Sequence, residues 1–439
     1  MRVKSFHLDT FRVSKYMLKE ADILMKYSSE EIKWNEKFSI YNGATSIVVQ
    51  SFINGFIPLF AIQVLHASNA QIGLISSMPS IMMLLSMIPG AYWINRLESK
   101  KRFTSINIFA ARFLFMLLLF VPLIQVSNQA WLLVVIIAMM NLPNALATLS
   151  WQSLIGDLIP DDRRGQFFSR RNRVLTIVGM IITFAAGIYL NQFEKSNPFP
   201  YQLLLFVGFI FGILEVYYLM RHIEHKQKQE LVQPNIFKGL AATVKHKPYL
   251  YFIVCAVLFN FGWQMAWPLF SLYQINDAHA TALWLSIFTV ANQIAQIVSY
   301  TWWGKTADKW GNSTMLFICS IGMATAPIIT VMTTNLYILA LSNLWTGLFV
   351  SGTTLLLFNQ LLAVSPNENR TSYLANYNLL IALIGFIAPQ IGVFLLEYVG
   401  MIKAMSISSV FRIIGGISFL VVVFYFEKNN RKKIFKAPA

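Results

Sequence analysis

Charge is scarce in this sequence, and acidic charge scarcer still. Charged side chains make up 12% of the 439 residues and only 19 of them are Asp or Glu, against about 25% charged in a soluble globular domain. A globule of this length in water needs a larger polar shell, so a soluble enzyme and a disordered chain are both excluded. There are two cysteines, Cys255 and Cys319, each inside an apolar stretch, and they read as small buried side chains rather than as a disulfide or metal pair. No phosphate-binding glycine loop and no metal-ligand spacing is present, and no histidine lies deep in an apolar run. ATP-driven chemistry and metal catalysis therefore have no basis here, and no cofactor is expected. Residues 1–39 hold eight basic and six acidic side chains before any long apolar run, unlike a secretory signal peptide. They read as a cytoplasmic leader, with Phe6, Leu8, Phe11, Met17 and Leu18 suited to a helix lying on the membrane surface.

Apolar residues are abundant, at 56%. A membrane span needs about 20 mostly apolar residues, wound as a helix because lipid offers the backbone no hydrogen-bond partners. Twelve such runs are present: Ile40 to Leu65, Ala70 to Ile94, Phe103 to Val126, Gln129 to Ile155, Val174 to Phe193, Phe199 to Met220, Tyr249 to Asn276, Ala280 to Trp303, Thr314 to Met332, Leu336 to Ala363, Thr371 to Leu396 and Ala404 to Phe426. The turn between the ninth and tenth is placed at Thr333, Thr334 and Asn335. With both termini in the cytoplasm, cytoplasmic segments hold 31 of the 35 Lys and Arg and the opposite loops hold only Lys195 and Lys403, the asymmetry expected of a cell-membrane protein in that orientation. The net charge of +16 thus faces an acidic leaflet rather than nucleic acid.

The expected organisation is a leader over 1–39, six spans over 40–220, a cytoplasmic loop over 221–248, six spans over 249–426, and a basic tail over 427–439. The halves repeat one another. Pro58-Leu59-Phe60 recurs as Pro268-Leu269-Phe270, with Gln50 and Asn54 aligned to Asn260 and Gln264. Pro160, Arg164, Asn172 and Gly179 recur as Pro366, Arg370, Asn378 and Gly385.

Between spans eight and nine stands Gly304-Lys-Thr-Ala-Asp308-Lys309-Trp-Gly311, which closely resembles the G-x-x-x-D-[RK]-x-G loop of the major facilitator superfamily. The matching segment of the first half, Gly90 to Arg102, departs from it: one residue is inserted, Asn95 precedes Arg96 in place of the acid, and the second glycine is missing. After span four, Asp157-Leu-Ile-Pro160-Asp-Asp-Arg163-Arg164-Gly165 is similar to an acidic-Pro-Arg-Gly loop of many members. The resemblance implies an all-α integral membrane fold of twelve helices in two pseudo-symmetric six-helix bundles, with these loops as gating elements. It also implies that spans one, four, seven and ten surround a central cavity. Their polar residues are then the cavity candidates: Gln50 and Asn54, Asn141, Asn144 and Thr148, Asn260, Gln264 and Trp267, Ser351 and Thr354. Their spacing puts each set on one helix face.

Three charges fall within spans and carry functional expectations. Arg112 and Glu215 are close enough in depth to pair, and Glu215 and Asp157 are the inner-side candidates for proton coupling. Arg412 has no acid at matching depth, leaving an anionic substrate, a lipid headgroup or snorkelling. No carboxylate lies in spans one, seven or ten, which favours a neutral or anionic substrate over a cation. The expected function is a monomeric secondary transporter of a small organic solute, working by alternating access amid membrane lipids, with proton coupling the family default and export favoured over uptake by family analogy. A transport-inactive receptor or assembly factor, and a membrane-embedded lipid- or sugar-modifying enzyme, remain open alternatives.

Overall fold

The computed structural model describes residues 27–94, 96–126, 128–225, 246–366 and 370–434. Among them, twelve helices are long and apolar enough to cross a membrane, and no strand occurs. Numbered in chain order, spans one to six are Ser29–Gln63, Asn69–Ile94, Lys100–Leu117 with a 3-10 turn Leu118–Leu123, Gln129–Leu158, Asp161–Leu190 and Phe199–Met220. Span seven comprises Lys247–Met265, Trp267–Leu272 and a π turn, Tyr273–Asp277. Spans eight to twelve are Ala282–Trp310, Asn312–Val331, Leu336–Val364, Arg370–Val399 and Met401–Ile434. The ends carrying Lys100, Arg163 and Lys309 are called the basic end, and the opposite ends the far end.

Local chemistry sets several boundaries that hydropathy misses. Span one begins at Ser29 rather than Ile40 because Ser28 and Glu31 form a capping box: Glu31 N–H donates to Ser28 Oγ at 3.2 Å and Ser28 N–H to Glu31 Oε2 at 2.8 Å. This satisfies orphan donors of the first turn, and the helix takes in the last part of the expected leader. Residues 1–26 lie outside the described residues. Span ten starts where Asn335 Oδ1 accepts from Tyr337 and Ile338.

The halves repeat at the level of single bonds. After span one, Leu65 N–H donates to Phe60 O and Ala67 N–H to Ala61 O around His66 at φ 51°. After span seven, Ala278 N–H donates to Tyr273 O and Ala280 N–H to Gln274 O around His279 at φ 53°. His66 and His279 are the non-glycine residues at positive φ among those described, a conformation that costs a side chain energy. The π turn absorbs the extra residues between Phe270 and this second loop.

In the first bundle span one packs on spans five and six, and span four on two and three; in the second, span seven packs on eleven and twelve, and span ten on eight and nine. The bundles meet along spans two and eleven and along five and eight. At the far end they share one apolar core, in which Phe60, Leu65, Leu133 and Leu190 join Leu272, Ile275, Leu285 and Phe288. Toward the basic end the cores are separate, one around Leu154, Leu158 and Phe167 and the other around Phe252, Trp303 and Leu357.

Close approach at the far end depends on small residues, the usual means of helix contact in lipid. A Cβ on Gly187 of span five would stand 2.6 Å from Ser286 Cβ and 2.9 Å from Ala282 O in span eight. A Cβ on Gly73 of span two would stand 2.9 Å from Val393 Cγ2 in span eleven. Gln390 Nε2 donates to Ser77 Oγ at 2.8 Å across the same seam.

A wedge at Gly187 is therefore expected to pry the far end apart. Overpacking costs about 1–3 kcal/mol, which shifts a two-state population by roughly 5- to 100-fold. Gly187→Leu should accelerate labelling of a Ser271→Cys probe by an impermeant maleimide from the far side; an unchanged labelling rate would refute the seam's role.

Candidate functional site

A cavity of about 520 Å³ lies between the bundles at mid-depth. It is lined by Gln50, Asn54 and Pro58 of span one, Ser76, Pro79 and Ser80 of span two, Arg112 of span three, Asn141 and Asn144 of span four, and Trp267 and Ser271 of span seven. A second cavity, of about 650 Å³, shares Gln50 and Asn54 and runs toward the basic end between spans five and eight. Its walls are two polar stripes. Span five presents Ser169, Asn172, Thr176, Gly179 and Thr183; span eight presents Thr289, Gln293, Gln296 and Tyr300. Steps of three and four place each stripe on one helix face, and no charged side chain lines this second cavity.

Five sequence-predicted cavity residues are brought together: Gln50, Asn54, Asn141, Asn144 and Trp267. The other five line neither cavity. Thr148 and Thr354 return their hydroxyls to their own helices, donating to Asn144 O and Val350 O at 2.9 Å each. Ser351 is fully buried and hydrogen-bonded at 2.6 Å to Ser299, tying span ten to span eight. Asn260 is buried and donates to Ala256 O at 2.8 Å. Gln264 is buried between spans, its Oε1 crowding Gly385 alongside Ser80 Oγ. The physical reason is common to Thr148, Thr354, Ser351 and Asn260. A polar side chain in lipid can be satisfied by its own preceding turn or by a neighbouring helix as well as by a wet cavity, and periodicity does not distinguish these. Ser76, Ser80 and the stripes of spans five and eight were missed, although the 169-172-176-179-183 spacing was there to be read.

The intramembrane charges resolve differently in the two bundles. Arg112 Nε and Nη2 donate to Glu215 at 2.8 and 3.2 Å, and both side chains are almost wholly buried. Arg112 also borders the first cavity, so a neutralised ion pair stands at the cavity wall. Arg412 is 1% exposed and neither snorkels nor reaches a headgroup. Its guanidinium donates to Met323 O at 2.7 Å and to Gly262 O and Trp263 O at 3.4 Å each, while Ser408 Oγ donates to Gly262 O at 2.7 Å. These carbonyls belong mainly to the last turn before span seven breaks at Ala266, ahead of Pro268. A helix end leaves carbonyls without N–H partners and carries partial negative charge. Arg412 supplies both the missing donors and the countercharge.

Around the basic end, Lys100 Nζ pairs with Asp157 at 2.5 Å, and Arg164 Nη2 donates to Gly156 O and Ile159 O at 2.8 and 2.9 Å, closing the end of span four. Arg163 stands 3.6 Å from Glu36, and the Arg96 guanidinium lies 3.8 Å over the Tyr92 ring. Gly90 is buried against Leu146 and Leu149, Gly165 and Asp308 are exposed, and Gly304 has only Leu355 near its Cβ site. Lys309 is exposed in the last turn of span eight, and Arg370 opens span eleven. Asn95 lies outside the described residues. Gly311 turns the chain between spans eight and nine at φ 83°, which glycine alone adopts without strain. Glu224 sits at the amino end of span three, where it accepts from Ser99 Oγ and from Lys100 and Lys101 N–H at 2.6 to 3.2 Å. Beside it, burial lowers the His222 pKa to about 4 from an ordinary 6.5, with Lys101 and Arg171 reinforcing the shift.

Two outcomes follow. Arg412→Met takes the guanidinium donor from Met323 O and Trp263 O, and hydrogen bonds from a charged donor contribute about 1.5–3 kcal/mol each; a clear fall in melting temperature in detergent is expected, and unaltered melting would remove the capping role. His222 is held neutral in the fold, so its contribution is full above pH 6.5 and is lost as pH falls toward 4, by about 1.4 kcal/mol per unit. His222→Gln should flatten that part of the stability profile; a parallel profile would refute it.

The Major Facilitator Superfamily model matches residues 42–288 and again 252–439. No curated protein sequence matches the chain. The fold is similar to that of nucleoside transporter NupG, at TM-score 0.71 and 12% identity over 88% of this chain and 98% of that one. It is similar to a bacterial homolog of the human lysosomal transporter Spinster in an inward-facing, unoccupied conformation, at 0.68 and 13% over 92% and 99%. It is also similar to a bacterial homologue of the iron transporter ferroportin in an inward-facing state, at 0.68 and 14% over 90% and 99%. With twelve helices long and apolar enough to cross a membrane among its described residues, set in two repeated bundles, and a family model matched along almost its whole length, this chain belongs to the Major Facilitator Superfamily and has a membrane-transporter fold.

Proposed function

We propose that the chain is a secondary transporter carrying a small, uncharged or anionic, hydrogen-bonding organic solute by alternating access. The basic end faces the cytoplasm, as the excess of Lys and Arg there favours, and the structure is the state open to that side. One observation carries this reading: a shared apolar core closes the far end while two uncharged polar stripes line the way from the mid-depth cavity toward the basic end. Within this reading Glu215 is positioned to couple a proton to transport, because it is bonded to the cavity-lining Arg112. Protonating it frees a cation at the cavity wall, and proton-driven export is the coupling tested first.

A thermal-shift screen of the purified protein identifies ligands of the folded state, and hits are then assayed for flux in proteoliposomes with and without a pH gradient. Flux that follows a hit, weakened by Asn54→Leu, is expected. Binding without flux in the wild type would support a receptor instead. Glu215→Gln should abolish acceleration by the gradient while sparing exchange at equal pH, and retained acceleration would end that residue's coupling role.

A further inference from the structure

A third hollow, of about 550 Å³, lies at the basic end between spans one and five, outside the polar passage. Its walls carry Lys33 and Lys37 of span one and Arg163 and Arg170 of span five. One carboxylate, Glu36, faces it, 3.6 Å from Arg163, so an excess of positive charge remains. Lys33, Lys37 and Arg170 are exposed.

The face of span five below Arg170 settles what this hollow opens onto. Steps of four and three from Arg170 lead through Val174 to Ile177, Ile181, Phe184 and Ile188, the last four being 45%, 61%, 41% and 42% exposed. A run of large apolar side chains left uncovered on a membrane helix is its lipid face. The opposite stripe, Ser169 to Thr183, faces the passage. The hollow is therefore cationic above and continuous with an apolar, lipid-facing strip below. Its depth agrees for the two cations nearest the strip: Lys37 precedes Ile40 and Arg170 precedes Val174, where the apolar runs begin, by about 5 and 6 Å at 1.5 Å per residue, with Lys33 about 10 Å out on the water side. The headgroup layer is roughly 5–7 Å thick on each side of the hydrocarbon. Tyr41, 41% exposed with Lys37 Nζ 5.8 Å from its ring centroid, has the amphipathic side chain favoured at that depth.

We propose that the groove formed by Lys33, Lys37, Arg163 and Arg170 above the apolar strip of span five is a binding site for an anionic phospholipid, whose headgroup phosphate meets the cations while its acyl chains lie along Val174 to Ile188. A soluble phosphate would use the cations and leave the strip unused; a phospholipid uses both.

The test is native mass spectrometry of the delipidated, full-length protein titrated with phosphatidylglycerol or phosphatidylcholine, repeated in millimolar inorganic phosphate. The wild type is expected to retain phosphatidylglycerol in preference to phosphatidylcholine. Removing three cations in Lys33→Gln/Lys37→Gln/Arg170→Gln should weaken phosphatidylglycerol binding about tenfold or more. The control Lys305→Gln/Lys309→Gln, which removes charge elsewhere at the same end, should leave it unchanged. Equal loss in the control, retained binding in the triple variant, or displacement by inorganic phosphate would each overturn the proposal. Should the triple variant prove unstable, Arg170→Glu alone gives the same readout.

Discussion

Helix contact too close for a side chain joins the two bundles toward the far end and again at mid-depth, where a Cβ on Gly385 of span eleven would stand 2.9 Å from Ser80 Cβ in span two. Gly187 lies against Ser286 and Gly73 against Val393, near the far ends of spans five, eight, two and eleven. Lipid tails are as apolar as leucine, so burial within the bilayer does little to drive helices together; close van der Waals packing and hydrogen bonds must do it. Toward the basic end the apolar cores of the two bundles are separate, and there the polar faces of spans one, five and eight line a hollow.

The two bundles share a topology and a repeated loop but solve the burial of an arginine in different ways. In the first, Arg112 meets a carboxylate on a neighbouring helix, and the coulombic attraction in a medium of low dielectric offsets the desolvation of both groups. In the second, Arg412 meets three carbonyl oxygens and no acid among its hydrogen-bond partners. Two of these, Gly262 O and Trp263 O, lie in the last turn before span seven breaks ahead of Pro268; the shortest contact, 2.7 Å, is to Met323 O of span nine, four residues before Pro327, which has no N–H to offer it. Span one keeps its helix continuous through the equivalent Pro58 and needs no such cap. The break of span seven thus gives the second bundle's buried arginine part of a carbonyl cage where the first bundle's has a carboxylate.

Much of the fold was legible in the sequence, because the rule that writes it is blunt. Apolar runs of about 20 residues have one stable form in a bilayer, and each of the twelve expected runs falls on a helix. What hydropathy could not give were the ends: Ser28 and Glu31 start span one in a polar stretch. The site was half legible. Gln50, Asn54, Asn141, Asn144 and Trp267 line the cavity, but alignment of Asn260 and Gln264 with Gln50 and Asn54 suggested a symmetry that packing does not keep. Pseudo-symmetry relates backbones. Which side of a helix meets water depends on crowding by particular neighbours, and around span seven those are Ser408, Phe411 and Arg412 pressed against Gly262.

In the alternating-access cycle proposed above, an uncharged lining such as the stripes of spans five and eight has a physical advantage. Every amide and hydroxyl there has to be satisfied both when water fills the hollow and when the helices close on one another. A charged group meets that requirement poorly, since closing over it removes its hydration at a cost of several kcal/mol unless a counter-ion closes with it. Neutral polar groups avoid the penalty by bonding back within their own helix, as Thr176 does to Asn172 O, Thr289 to Leu285 O, and Gln296 to Asn292 Oδ1. Their spare hydrogen-bonding capacity stays free for water or solute. The charge scarcity in the composition is, at this level, a condition for two faces that can separate and meet again without stranding an ion.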